Sequence, residues 1–164
     1  MASKNETTIK AEPGKQDLFI TREFDAPREL VFKVMTDPEL VPRWLGPREL
    51  TMKIDKWDAR SGGHYRYVHS DAQGNAYGFH GVMHEVTAPE RIIQTFEFEG
   101  MPERGHVSLE IARLEELPGG RTKVVVQSIF PSVADRDGMI RSGMERGVKD
   151  SHWRLDELFE ELTK

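Results

Sequence analysis

Two histidines spaced four residues apart are the first side chains in this sequence that could share a metal ion. His80 and His84 are followed directly by Glu85, and on a helix the two imidazoles would lie on one face. The surrounding segment alternates as a strand does, however, and four strand residues span about 13 Å. One ion does not bridge that distance, so the sequence predicts no metal site at these histidines.

Alternating tyrosines are the second candidate for chemistry. Tyr65 and Tyr67 flank Arg66 and follow His64 in a segment with strand periodicity. If both rings face the interior, their hydroxyls could orient a ligand carbonyl. The other interpretation, which we favour, is that both rings pack on a sheet and keep their hydroxyls hydrated.

Other reactive arrangements are missing from the sequence. It contains no cysteine, which excludes disulfides, thiolate nucleophiles and thiolate metal sites. It also lacks a G-x-S-x-G elbow, and Gly62-Gly63 precedes a strand without the G-K-[ST] of a phosphate loop, which indicates a tight turn or a bulge. We therefore predict no catalytic residue and no cofactor. An enzyme would need a buried group with a shifted pKa, and His64, Tyr65 and His152 are the ones to check.

The elements that would position these side chains follow from changes in hydrophobic period. Residues 18–24 alternate and predict a first strand, whereas residues 1–15 are polar and are expected to form a flexible leader. Asp25-Ala26-Pro27 and Asp37-Pro38 each carry a helix start signal and predict two short helices. A single domain is expected over residues 16–164.

A long run of short strands follows, and then one long helix. Residues 49–130 alternate with a period of two, interrupted by turns such as Gln73-Gly74-Asn75, which predicts an antiparallel meander. With the first strand, this gives a curved sheet of about seven strands. Residues 133–162 return to a helical period, and the helix would be about 40 Å long at 1.5 Å per residue. The expected class is α+β, with the helix crossing the sheet.

Charge and composition exclude several classes of protein. The 164 residues carry a net charge of -5, and acidic and basic residues are interleaved along the chain. A protein that binds nucleic acid or an anionic membrane would present a basic face, so we expect neither partner. Residues 1–16 lack the apolar run of a signal peptide, and no segment approaches the roughly 18 apolar residues of a membrane helix. We therefore expect a cytoplasmic protein.

Several short motifs occur together in an order that is specific in combination. They are Arg22 to Pro27; Asp37 to Glu39 with Trp44 and Gly46-Pro47; Asp58 with Gly62-Gly63 and Tyr65-Arg66; Gly81, Glu85 and Pro89 to Arg91; and Gly143 to Gly147. Over about residues 16–163 the chain resembles the helix-grip fold of the START-like superfamily. More narrowly, it resembles the short bacterial and archaeal members of the family named for the activator of the heat-shock protein 90 ATPase. It departs from that family at Leu45 and Val148, where the family often has tryptophan.

The resemblance implies a pocket between the last helix and the sheet that encloses a small apolar or aromatic ligand. We expect Gly147 to border this pocket, and Gly143 to pack closely against the sheet. The predicted lining residues are Trp44, Tyr65, Tyr67, Phe79, Phe96, Val107, Ile129, Met144, Gly147 and Val148.

Two other functions stay open. The superfamily contains polyketide cyclases and aromatases, which would make this chain an enzyme, although we expect binding rather than catalysis. A regulator of a chaperone ATPase is the second alternative. Because the chain resembles only the C-terminal half of the chaperone activator, we expect little stimulation of a chaperone. Trp153 falls on the polar side of the last helix and could mark a homodimer contact.

Overall fold

A computed structural model describes residues 5–164 of the chain, which form one antiparallel sheet and three helices. The strands are β1 (Thr8–Lys10), β2 (Asp17–Phe24), β3 (Thr51–Trp57), β4 (His64–Ser70), β5 (Ala76–Thr87), β6 (Arg91–Phe98), β7 (Ser108–Leu117) and β8 (Arg121–Ile129). The helices are α1 (Arg28–Thr36), α2 (Val133–Arg141) and α3 (Met144–Leu162), and a short 3-10 turn spans Val41–Arg43.

The sheet is an antiparallel meander with one exception. Its strand order is β1-β2-β8-β7-β6-β5-β4-β3. Strands β3 to β8 each pair with the next strand in sequence, whereas β2 pairs with the distant β8 and not with β3. The predicted α+β class and helix-grip architecture are confirmed, with eight strands among the described residues where about seven were expected. The extra strand, β1, lies within residues 1–15, which were predicted to be a flexible leader; residues 1–4 lie outside the described part.

The last helical segment is broken where a single long helix was predicted. Gly143 separates α2 from α3 and has φ of 86°, a left-handed conformation that glycine adopts without strain. The prediction that Gly143 packs closely against the sheet is wrong, because a Cβ built there meets no atom of the described residues within 4 Å. The 19 residues of α3 span about 28 Å, which is shorter than expected.

Side chains on the face of the sheet that α3 covers, here called the inner face, form two apolar clusters. The core cluster joins the sheet residues Phe24, Leu114 and Val124 to Leu155 and Phe159 in the C-terminal half of α3. The aromatic cluster lies on β4 and β5, around Tyr65, Tyr67 and Met83. The helix is therefore anchored to the sheet by its second half.

Polar contacts fix the position of α3 along its two edges. On one edge, the Ser151 hydroxyl accepts a hydrogen bond from the backbone N–H of Gly46, at 2.8 Å. On the other edge, the buried Arg22 guanidinium donates to both carboxylate oxygens of Asp156, at 2.9 and 2.6 Å. No helix within residues 5–164 has the length and apolarity that crossing a bilayer requires.

Candidate functional site

The aromatic cluster brings together four of the residues that the sequence predicted to line a pocket. The ring centroids of Tyr65 and Tyr67 lie 6.2 Å apart, and those of Tyr67 and Phe79 lie 5.2 Å apart. Phe79 in turn stacks on Phe96, at 5.4 Å. Aromatic pairs at these separations attract one another beyond the burial of their area. The cluster therefore forms a continuous flat-sided surface on the inner face of β4, β5 and β6.

The two tyrosine hydroxyls of this cluster are used differently. The Tyr65 hydroxyl donates to the backbone carbonyl of Thr95, at 2.6 Å, and so holds β4 against β6 across Gly81. The Tyr67 hydroxyl makes no hydrogen bond to any residue that the structure describes, although the side chain is 95% buried. Burial raises the pKa of both phenols, and an ionised Glu110 would raise both further. Tyr67 is thus an uncharged phenol with an unused donor.

His69 extends the aromatic cluster at one end, and the sequence did not single it out. Its ring centroid is 5.1 Å from that of Tyr67 and 5.5 Å from that of Phe79, and the residue is buried. Burial lowers the pKa of His69, so the imidazole is neutral near pH 7. Its Nε2 atom has no hydrogen-bond partner among residues 5–164.

A row of polar side chains crosses the middle of the sheet on the inner face. Gln94 of β6 pairs with Glu110 of β7, and Glu110 pairs with Ser128 of β8. We call these three residues the polar row. Cross-strand partners on one face have Cβ atoms about 4.5–5.5 Å apart, so the three side chains are neighbours. The row is bordered by Phe96 of the aromatic cluster and by Ala112 of the core cluster.

Glu110 is the central residue of the polar row. The amide nitrogen of Gln94 donates to Oε1 of Glu110, at 3.0 Å. No Lys or Arg within residues 5–164 forms an ion pair with this carboxylate. Burial raises the pKa of Glu110, and the Gln94 hydrogen bond offsets that effect in part. Part of the side chain nevertheless remains accessible, since its exposure is intermediate.

Sequence reasoning missed the polar row because it assigned the wrong face to β7. Val107 was predicted to line the pocket, and a period of two would put Leu109 and Ile111 on the inner face with it. In the structure Ser108, Ala112 and Leu114 are the buried residues of β7, which places Glu110 on the inner face with them. Apolar residues occur on both faces of β7, Leu109 and Ile111 on one and Ala112 and Leu114 on the other. The pattern alone therefore left open which face is buried.

The first turns of α3 contact the segment between the 3-10 turn and β3, at Pro47, Arg48 and Glu49. Met144 and Val148 are half-buried and belong to neither cluster. A Cβ built on Gly147 would meet only the side chain of Pro47, at 3.6 and 3.7 Å, which is ordinary van der Waals contact. The glycine is therefore not needed for a close approach to the sheet. That Met144, Gly147 and Val148 border a ligand stays a prediction.

Three other predicted lining residues lie elsewhere. Trp44 packs in the core cluster, and its indole N–H donates to the backbone carbonyl of Val34, at 2.9 Å. Ile129 follows the buried Ser128 and pairs with Leu109, which puts its side chain on the outer face, so its prediction as a lining residue is wrong. Val107 lies in the loop before β7 and belongs to neither cluster.

Among the three candidate enzyme groups, Tyr65 and His152 have pKa values that are shifted, mainly by burial. Tyr65 is engaged by Thr95, as described above, and His64 is exposed. His152 lies 2.6 Å from the Thr7 hydroxyl through Nδ1 and packs edge-on against Phe24, with centroids 5.4 Å apart. Burial and the charge of Arg22 lower the pKa of His152 to about 3. In its neutral form the histidine joins Thr7, which precedes β1, and Phe24 of β2 to α3.

The predicted H-x-x-x-H segment is a strand, β5, as its alternation indicated. His84 is exposed, and a register shift between Met83 and Glu85 marks an irregularity at this point. His80 lies on the outer face, where its ring nitrogens contact the carboxylates of Glu99, at 2.8 Å, and Glu97, at 3.4 Å. The two histidines are thus held in separate surroundings.

Comparison with known proteins agrees with this architecture. The family model described as "Activator of Hsp90 ATPase homolog 1-like protein" matches residues 25–160, while no curated protein matches the chain. A solved structure from Rhodobacter sphaeroides is 25% identical, with a TM-score of 0.83 over 93% of this chain and 97% of that one. One from Chromobacterium violaceum is 26% identical, with a TM-score of 0.77 over 88% and 97%. A third, from Silicibacter pomeroyi, bears the name of the same family; it is 23% identical, with a TM-score of 0.71 over 86% and 95%, and shows the fold.

Proposed function

Because the chain belongs to the family of activator of Hsp90 ATPase homolog 1-like proteins, we propose that it binds a small apolar or aromatic molecule on the inner face of its sheet. The site lies between the aromatic cluster, the polar row and the first turns of α3. The observation that carries the proposal is the polar row itself. Arg22 of the same face is paired with Asp156, whereas Glu110 has no charged partner among residues 5–164, which is unusual for a carboxyl in a packed core.

The unused hydrogen-bonding groups support a site rather than a core. Ser128 and Tyr67 are each 5% exposed, and neither hydroxyl is hydrogen bonded to a described residue. Neither oxygen is completely buried, so each can still form a hydrogen bond to a ligand in the proposed site. Ser128 is the cross-strand neighbour of Glu110, and the Tyr67 phenol is close enough to Glu110 for the carboxylate to affect its pKa.

The two properties of Glu110 also fit an interior space. Burial raises the pKa of its carboxyl, yet part of the residue's surface is accessible. A carboxyl group can be shielded from bulk water and still be partly accessible if it borders an enclosed space, which we place between α3 and the sheet. A concave, mostly apolar surface with a few convergent polar groups is the usual form of a small-molecule site.

The stacked rings indicate which ligands the site would favour. Tyr67, Phe79 and Phe96 present flat faces with centroid separations of 5.2 and 5.4 Å. Flat aromatic ligands pack on such faces with offset or edge-on contacts. We therefore expect ring compounds to bind more tightly than open-chain compounds of equal apolar area.

Filling the site tests the proposal. Ser128→Leu places a larger apolar side chain in the polar row, whereas Gln127→Leu places the same side chain on the outer face of the same strand and serves as the control. Uptake of the fluorescent dye Nile red should be lost in Ser128→Leu and kept in Gln127→Leu, with both proteins folded by circular dichroism. If the face were fully packed, Ser128→Leu would instead lower stability by about 1–3 kcal/mol through overpacking. Wild-type protein that takes up no dye would refute the proposal.

A further inference from the structure

We propose that Glu110 acts as an uncharged hydrogen-bond donor that selects aromatic ligands carrying a carbonyl oxygen. This inference rests on the binding site proposed above and names the class of ligand that the site takes. The residue would contribute recognition, and no reaction step is assigned to it.

The geometry around Glu110 leaves one of its oxygens unused. The Gln94 amide donates to Oε1, so that oxygen is the acceptor of the carboxyl group. The second oxygen makes no hydrogen bond to the part of the chain that the structure describes. In a neutral carboxyl the proton then belongs on this second oxygen, where it can be donated to a ligand.

The surroundings of Glu110 favour the neutral carboxyl. Its cross-strand neighbours are the uncharged Gln94 and Ser128, and the ionisable groups that interact with it are the phenols of Tyr65 and Tyr67. The buried arginine of α2, Arg136, is already engaged by Asp137 and by backbone carbonyls. An isolated buried carboxylate is costly, and the group keeps its proton instead.

The neutral donor restricts the ligand. A carboxyl O–H needs an acceptor, and a ketone or aldehyde oxygen supplies one without adding charge to a poorly hydrated space. The flat rings of Tyr67, Phe79 and Phe96 require that the acceptor be attached to an aromatic or similarly planar body. An aromatic ketone meets both conditions, and the Tyr67 hydroxyl is the other unused donor of the proposed site.

A matched pair of ligands tests the inference. 2-Acetylnaphthalene and 2-ethylnaphthalene have nearly the same size and shape and differ in the carbonyl oxygen. Their dissociation constants are measured by displacement of Nile red from wild-type protein and from Glu110→Met, Glu110→Gln and Tyr67→Phe. Met is close to Glu in size and donates no hydrogen bond, whereas Gln keeps a donor without any acid group.

We expect the preference for the ketone over the hydrocarbon to fall about tenfold from wild-type to Glu110→Met, as the loss of one buried hydrogen bond implies. Glu110→Gln should keep most of that preference, and 2-ethylnaphthalene should bind all four proteins alike. If both naphthalenes bind but their ratio is unchanged in Glu110→Met, or changes only in Tyr67→Phe, the assignment to Glu110 is wrong and the binding site stands. If neither compound displaces the dye and the dye itself does not bind, the proposed function fails first.

Discussion

Replacing His152 tests whether a neutral histidine fixes α3 to the sheet. Burial, together with the charge of Arg22, lowers the pKa of His152 from 6.5 to about 3. In the unfolded chain the imidazole takes up a proton as the pH falls through about 6.5, whereas in the folded protein it does so only near the lower value. The unfolded state therefore binds the extra proton within this window, and folding stability is lost as the pH falls.

The size of the effect follows from the two pKa values. At about 1.4 kcal/mol for each pKa unit, the whole window corresponds to about 5 kcal/mol of stability. Between about pH 7.5 and about pH 4.5 the loss is about 2.7 kcal/mol. That is a large fraction of the roughly 5–15 kcal/mol by which small domains are stable.

His152→Gln removes the titrating group and keeps a side chain of similar size that can hydrogen bond to Thr7. At neutral pH we expect the variant to be less stable by about 1 kcal/mol, because the edge-on contact with Phe24 is lost. As the pH falls, wild-type protein loses stability through His152 and the variant does not. The two stability curves should therefore cross near about pH 6.

Urea unfolding at several pH values between about 7.5 and 4.5 measures this difference. Subtracting the variant from wild-type cancels the carboxylates, which titrate in both proteins. His84→Gln, a change at an exposed histidine of β5, is the matched control for removing a histidine. Parallel curves for wild-type and His152→Gln would refute the reasoning, because they would mean that the folded protein protonates His152 as readily as the unfolded chain does.

Three further changes probe the inner face and the core. Because burial raises the pKa of Glu110, the folded protein retains this proton to a higher pH than the unfolded chain does, and wild-type should lose up to about 1.4 kcal/mol of stability per pH unit as the pH rises above about 4.5. Glu110→Gln should not show this loss. Equal slopes of the two proteins in urea unfolding would contradict this. Gly147→Ala should raise the free energy of unfolding by about 1 kcal/mol, since a Cβ there meets Pro47 at an ordinary 3.6 Å; a fall in the melting temperature would show a clash. Trp44→Ala should cost about 3–5 kcal/mol in urea unfolding, because the ring is 8% exposed and its N–H is bonded to Val34; a cost below about 1 kcal/mol would place the ring at the surface.

Local signals in the sequence predicted most of the elements because each depends on a few neighbouring residues. The start of α1 follows Pro27, and the turn before β4 contains Gly62-Gly63. A Cβ on Gly63 would lie 1.9 Å from the Asp58 carbonyl oxygen, so this turn demands glycine. The break at Gly143 was not predicted, because the apolar residues before and after this glycine keep the spacing of one continuous helix.

The aromatic part of the candidate site was predicted from the sequence, whereas His69 and the polar row were not. Tyr65, Tyr67, Phe79 and Phe96 were named from the sequence, because large aromatic residues on adjacent strands of one face meet in any antiparallel meander. His69 lies on the same face of β4 and could have been included by counting two residues further along the strand.

By itself, then, the sequence determined the α+β class, the meander and its family, since period, turn residues and motif order are local properties of the chain. The tertiary structure decided which face of each strand is covered. Alternation divides a strand into two faces, but the position of a distant helix settles which of them is buried. In β7 that choice placed Glu110 on the inner face and turned Ile111 outward, so a residue that the sequence did not single out became the centre of the proposed site.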